Sequence, residues 1–325
     1  MRIALDAMGT DTAPAAEVAG AIEALQHAAS DDVEIILVGD EALIRAELER
    51  HDDVPAGIRV HHAPDRVTAE DAPASVLRRK PDSSIVVGLR LHKEGDADAF
   101  VSAGSTGAVM ASSLFTLRPL PGVDRPPVGT LLPTAGAPCL LLDAGANIGC
   151  KPGHLVQFAH LGSTYMKDAM GRENPRVGLL NIGEEPGKGD ELTIETYGLL
   201  ENDDGLNFIG NIEGRDIVRG ECDVIVCDGF VGNILLKFYE SVAGHILDLL
   251  KTELDSAADS KLDLGHVFRV LDYAEYGGAP LLGLGGVSII CHGGSPPKAI
   301  HNALIVAGRA VRSGLVQHSA EEFQS

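Results

Sequence analysis

The stretch CLLLDAGAN (139–147) runs through four apolar residues to Asp143, bends at Gly145 and ends on Asn147. A short apolar run closed by a turn residue reads as a parallel strand covered on both faces, which needs no polar alternation. The same pattern recurs at RIALD (2–6), VEIILVGD (33–40), AFVSAG (99–104), RVGLLNIG (176–183), FIGN (208–211), CDVIVCDG (222–229) and VSIICHGG (287–294). Helical spacing of apolar residues fills the intervals at 15–29, 106–117, 153–170 and 234–254. Strands alternating with helices predict an α/β fold built on a mainly parallel sheet. The proline-rich LRPLPGVDRPPVG (117–129) is the expected crossing between two α/β subdomains, one formed by 1–130 with 279–325 and the other by 131–278. The longest helical pattern sets Val231, Ile234, Leu235, Phe238, Val242, Ile246 and Leu249 on one stripe, which predicts core or dimer packing in preference to a lipid-binding face.

Composition narrows the function. The chain has 325 residues, 47 acidic against 26 basic, and a formal net charge of −21. Nucleic-acid binding needs clustered Lys and Arg, so no nucleic-acid partner is expected and any anion site must be local. Cys139, Cys150, Cys222, Cys227 and Cys291 form no C-x-x-C pair and have no close His-x-x-x-His partner, which argues against a disulfide framework and against structural zinc. MRIALDAMG enters a strand at once, without the apolar segment of a signal peptide, so a cytoplasmic protein is expected.

In parallel sheets ligands gather beyond the carboxyl ends of the strands, where helix N-termini present free N–H groups. Six such ends are polar here. DAMGTD (6–11) offers Asp6, Gly9 and Asp11, although capping of the next helix alone would explain Asp11. SAGSTGA (102–108) brings Ser102, Gly104, Ser105, Thr106 and Gly107 to the start of a helix, an anion-site pattern that needs no lysine. LDAGAN (142–147) carries Asp143 and Asn147, and LLNIGEEPGKGDEL (179–192) carries Asn181, Glu184 and Lys188. CDGFVGN (227–233) places Asp228 and Asn233 before the long helix, and CHGGSPPKA (291–299) sets His292 beside two glycines.

Several chemistries lack their motifs. Gly183 stands one residue too close to Gly187-Lys188 for a P-loop, and Gly189 replaces the required hydroxyl. GLGGVS (283–288) precedes a strand instead of following one and has Ser at the third glycine of a dinucleotide fingerprint. No G-x-S-x-G elbow, H-E-x-x-H or paired metal-binding aspartates occur in the right context, which leaves a transfer reaction without cofactor or metal.

Taken in order, MGTD, SAGSTGA, LDAGAN, LLNIGEE with its following KG, CDGFVGN, YGGAPLLGL and HG resemble the PlsX family of phosphate acyltransferases from residue 1 to about 312. The resemblance implies a three-layer αβα fold related to phosphotransacetylases and to the isocitrate/isopropylmalate dehydrogenases. It implies transfer of a long-chain acyl group from acyl carrier protein to inorganic phosphate, a homodimer, and a membrane glycerol-3-phosphate acyltransferase that uses the product. It also implies a cytoplasmic enzyme that can sit at the inner face of the membrane. Thr10 stands where the family usually has Gly, and Ser105 where Asn is common. The segment 256–275, a membrane-touching tip in the family, is short here; its only Lys and Arg are Lys261 and Arg269, outnumbered by acidic residues.

Under that resemblance the SAGSTGA turn holds phosphate, Lys188 neutralises its charge, and Asn147, Asn233 or His292 polarises the thioester carbonyl. Direct displacement is expected, because no cysteine stands in an activating arrangement. Arg78, Arg79 and Lys80 form a candidate basic island for the acidic carrier. Alternatives are a coenzyme A-dependent phosphate acetyl- or butyryltransferase and a non-catalytic sensor of phosphate or acyl phosphate.

Overall fold

The computed structural model describes residues 1–27, 32–68, 70–256 and 275–324, with side chains left out for 251–256. Eleven strands are described: β1 (Arg2–Asp6), β2 (Glu34–Gly39), β3 (Ile58–His62), β4 (Ala99–Ser102), β5 (Thr130–Leu132), β6 (Cys139–Leu142), β7 (Arg176–Leu180), β8 (Asn207–Ile212), β9 (Val224–Val226), β10 (Ala279–Pro280) and β11 (Val287–Ile290). The helices are α1 (Ala15–Gln26), α2 (Glu41–Leu48), α3 (Val76–Arg79), α4 (Ser84–Glu94), α5 (Thr106–Leu117), α6 (Pro152–Asp168), α7 (Glu191–Glu201), α8 (Gly214–Ile217), α9 (Gly229–Ser256), α10 (Pro297–Arg312) and α11 (Leu315–Glu322).

The strands form two sheets, in the orders β10-β11-β4-β1-β2-β3 and β5-β6-β9-β7-β8. Every pairing is parallel except β10 with β11 and β5 with β6, so each sheet is mainly parallel with one antiparallel edge. Those two edges face each other: Gly129 N–H donates to the Pro280 carbonyl at 2.9 Å and Leu282 N–H to Pro127 at 3.0 Å. The crossing segment 117–129 therefore stitches one sheet to the other, and the carboxyl ends of both sheets open toward a shared cleft. Central strands read as continuous apolar runs because helices cover both faces: Ile3, Ala4 and Leu5 of β1 and Leu140, Leu141 and Leu142 of β6 are all buried.

The stripe on α9 departs from half of its expectation. Ile234, Phe238 and Leu249 are 54%, 67% and 53% exposed, so the stripe is not core, and only Leu235 packs against the interior. An apolar face this long on a 28-residue helix is left exposed in the single chain. The acidic tip expected at 256–275 lies almost wholly outside the described residues. Among the described residues no helix is long and apolar enough to cross a membrane.

Candidate functional site

Two pairs of turns meet at the cleft. In the first, β1 ends on buried Asp6, whose carboxylate accepts Met8 N–H at 3.0 Å and the Ser102 hydroxyl at 2.6 Å. Burial pushes the Asp6 carboxyl up, against those hydrogen bonds and the nearby Arg66 charge. Ser102 Oγ in turn accepts Gly104 N–H at 3.0 Å, so this hydroxyl shapes the turn from within. Gly9 lies so close to the second turn that a Cβ on it would stand 2.7 Å from the Gly104 nitrogen, which only glycine tolerates. Thr10 N–H and Oγ1–H both donate to buried Glu17, at 2.7 and 2.9 Å, and Asp11 N–H donates to the Gly293 carbonyl at 2.9 Å, tying this turn to the His292 turn.

Beyond Gly104, the cradle is open. Ser105 is the N-cap of α5, yet its side chain caps nothing, and Thr106 is exposed. The first N–H groups of a helix have no intrahelical acceptor, which leaves those of Ser105, Thr106 and Gly107 without one, and of these three residues Thr106 stands on the wall of the cleft. Gly107 is pressed by the Pro73–Ser75 turn, its Cβ position lying 2.9 Å from Pro73 Cγ.

The second pair is closed. Asp143 accepts N–H groups from Val128, Gly145, Ala146 and Asn147 at 2.6 to 3.1 Å, and Asn147 Nδ2 at 3.0 Å. Burial still pushes this carboxyl up. Asn147 Nδ2 also donates to the Pro126 carbonyl at 3.1 Å, so both its amide hydrogens are engaged within the scaffold. Asp228 caps α9, accepting Val231 N–H at 2.9 Å. Gly229 and Gly232 then lie against the LDAGAN backbone so closely that a Cβ on Gly232 would collide with the Asp143 carbonyl oxygen. This interlock sets Asn233 over Gly145, whose φ of +135° requires glycine. The Asn233 carboxamide has no hydrogen-bond partner among the described residues.

Between the two pairs lies a cavity of about 390 Å³. Thr106, Asn233 and His292 stand on its wall, and the rest is largely apolar, with Met110 from α5, Leu131 from β5, Leu236 and Ala243 from α9, and Ile290 from β11. Gly294 N–H donates to His292 Nδ1 at 3.2 Å, which places the proton of the neutral ring on Nε2. Tyr239 and Tyr276 also line the cavity, and burial raises both phenols.

The remaining expected residues lie apart from the cavity wall. Asn181, Glu184 and Lys188 share the 181–190 loop beyond β7. Asn181 Nδ2 donates to the Lys188 carbonyl at 2.9 Å, and Glu184 pairs with Arg215 at 3.1 Å. The Lys188 ammonium makes no ion pair or hydrogen bond among the described residues. In the basic island, Lys80 is held by Asp71 at 2.6 Å, which leaves Arg78 and Arg79 exposed at the end of α3, beside α5. The cysteines are poor nucleophiles: burial pushes Cys139, Cys222 and Cys291 up to about 12, and Cys150 to about 11.

Arg66 was not anticipated. Its guanidinium donates to the Thr10 carbonyl at 2.7 Å and brings a cation to the first turn pair. It comes from a loop after β3 with no motif of its own, so nothing in the spacing points to it.

Two sheets with polar turns facing one cleft define an α/β protein of the phosphotransacetylase fold. The chain superposes on EutD phosphotransacetylase from Staphylococcus aureus with a TM-score of 0.63 at 19% identity, covering 96% of this chain and 94% of that one. A branched-chain phosphotransacylase from Enterococcus faecalis gives a TM-score of 0.60 at 15% identity, covering 95% and 99%. Sequence comparison is more specific. The model of the family described as fatty acid synthesis protein matches residues 1–318, and the chain belongs to that family, the one its motifs resemble. It is similar to the phosphate acyltransferases of Desulforamulus reducens, 51% identical over 331 residues spanning 100% of this chain and 98% of that protein, and of Geobacter sulfurreducens, 47% identical over 334 residues spanning 100% and 95%.

Proposed function

We propose that this chain transfers a long-chain acyl group from acyl carrier protein to inorganic phosphate and releases acyl phosphate. The observation that carries the reading is the cavity itself, an apolar chamber ending on Thr106, Asn233 and His292. Phosphate sits at the open N-terminus of α5, and the acyl chain lies along the apolar wall. A phosphate oxygen attacks the thioester carbonyl carbon, the carbon–sulfur bond breaks, and the carrier leaves as its thiolate. Negative charge passes through the carbonyl oxygen, where the Nε2–H of His292 and the Asn233 amide stabilise it. Most of the acceleration then comes from holding two reactants together and from fixed dipoles. Asp6, Gly9, Asp11, Ser102, Gly104, Asp143, Asn147, Asp228, Asn181 and Glu184 hold the turns in register. Arg66 and Lys188 supply positive charge, Lys188 through an ammonium that no other described residue engages.

The two sheets correspond in this reading to two subdomains that meet at the cleft, and no metal or organic cofactor enters the reaction. A second copy of the chain covers the apolar stripe of α9, giving a homodimer. Exposed Arg78 and Arg79 receive the acidic carrier beside the phosphate cradle. The enzyme works in the cytoplasm and hands its product to a membrane glycerol-3-phosphate acyltransferase.

Purified protein mixed with palmitoyl-acyl carrier protein and phosphate should release carrier thiol and hydroxylamine-sensitive acyl phosphate, both in proportion to phosphate. Release from acyl-coenzyme A alone would make the chain a phosphotransacylase of coenzyme A, and tight phosphate binding without release would make it a sensor.

A further inference from the structure

The helices α1 and α10 pack against each other and bring three donor side chains together. Glu23 and His27 close α1, and His301 lies one turn into α10; one ligand atom of each falls within 4.8 Å of the others. Their chemistry is that of a borderline divalent ion, two imidazoles and a carboxylate.

Three features separate this cluster from an ordinary surface group. His27 Nδ1 lies 2.9 Å from the Glu23 backbone carbonyl and donates to it, so the ring is oriented and Nε2 keeps its lone pair for a ligand. Metal-bound histidines almost always carry such a bond on the second nitrogen. His301 Nδ1 is shielded from solvent and has no hydrogen-bond partner among the described residues, a costly state for a polar atom. The two rings stand edge to face, 5.6 Å between centroids. Two imidazoles on one tetrahedral ion, with metal–nitrogen bonds near 2 Å, have centroids about 5 Å apart.

We propose that Glu23, His27 and His301 form a binding site for a zinc-class divalent ion, with water in the fourth position. The site ties α1, which follows the DAMGTD turn, to α10, which follows the His292 turn, and so braces two walls of the cleft from behind. Hard cations with all-oxygen preferences do not fit a site with two nitrogen donors.

The test is calorimetric titration of zinc into the chelator-stripped full chain, with unfolding temperature read in parallel. One ion per chain is expected, with a rise of several degrees in midpoint, and magnesium should produce neither. His27→Ala removes an exposed side chain and should fold normally while weakening zinc binding at least tenfold; Glu23→Gln should weaken it less. His160→Ala, which breaks a histidine paired with Asp203 and Glu322 elsewhere, should leave zinc binding unchanged. Absence of zinc uptake by the unaltered chain, or His27→Ala binding zinc within threefold of it, would overturn the site.

Discussion

The two turn pairs at the cleft use one device in opposite ways. Each begins with a buried aspartate at a strand end, but Asp6 accepts one N–H and the hydroxyls of Ser102 and Ser84, whereas Asp143 accepts four N–H groups and an amide. The first leaves the start of α5 unsatisfied and open. The second closes on itself and becomes a platform that carries Asn233. Donors with nothing to bond suit an incoming anion, and a platform with every donor engaged suits a group that must not move.

Breaking the closed pair should have the largest effect. Asp143→Ala leaves one buried and three partly buried N–H groups without their acceptor and should cost about 3 to 5 kcal/mol in urea unfolding. Asp6→Ala, with fewer bonds to lose, should cost distinctly less, and equal costs would erase the contrast. Next, His292→Ala should lower kcat by roughly 100-fold to 1,000-fold, the usual loss for one oxyanion donor, with unfolding little changed. A variant with unaltered kcat would remove His292 from the chemistry.

Glu17, beneath the open pair, sharpens the comparison through pH. Burial pushes its carboxyl up from 4.5 to about 7, so the folded state favours the protonated form. That stability is present in full below about pH 4.5 and is lost as pH rises through 7, amounting to about 3 kcal/mol. Glu17→Gln does not titrate, so its unfolding free energy relative to the unaltered chain should improve by about that amount from about pH 4 to about pH 8. A gap constant with pH would contradict the burial argument. The smallest effect belongs to Ser105→Ala, which loses no cap bond and should change stability by about 0.5 kcal/mol or less, while raising the KM for phosphate.

What was legible in the sequence follows the same physics. Central strands such as β1, β4 and β6 are unbroken apolar runs and declared themselves, as did the glycine and hydroxyl residues after them. Edge strand β3, IRVHH, is half exposed and has no such run, and β10 is only two residues long. The helix α2 buries only Ile44, too little to mark a face. At the site, residue types at strand ends were readable, but side-chain direction was not. Ser102 turns inward to Asp6 and Asn147 back to Pro126, because the turns had their own N–H and carbonyl groups to satisfy. The cavity draws on segments more than 100 residues apart, from Thr106 to His292, and no local pattern encodes that meeting.

The central claim is that the acyl chain occupies this cavity while phosphate waits at the start of α5. Met110→Trp fills the cavity from the α5 side and leaves both turn pairs untouched. Phosphate-dependent release from palmitoyl-acyl carrier protein should fall at least tenfold, with the KM for phosphate unchanged and a short-chain acyl carrier still accepted. Undiminished palmitoyl transfer by Met110→Trp would contradict the account.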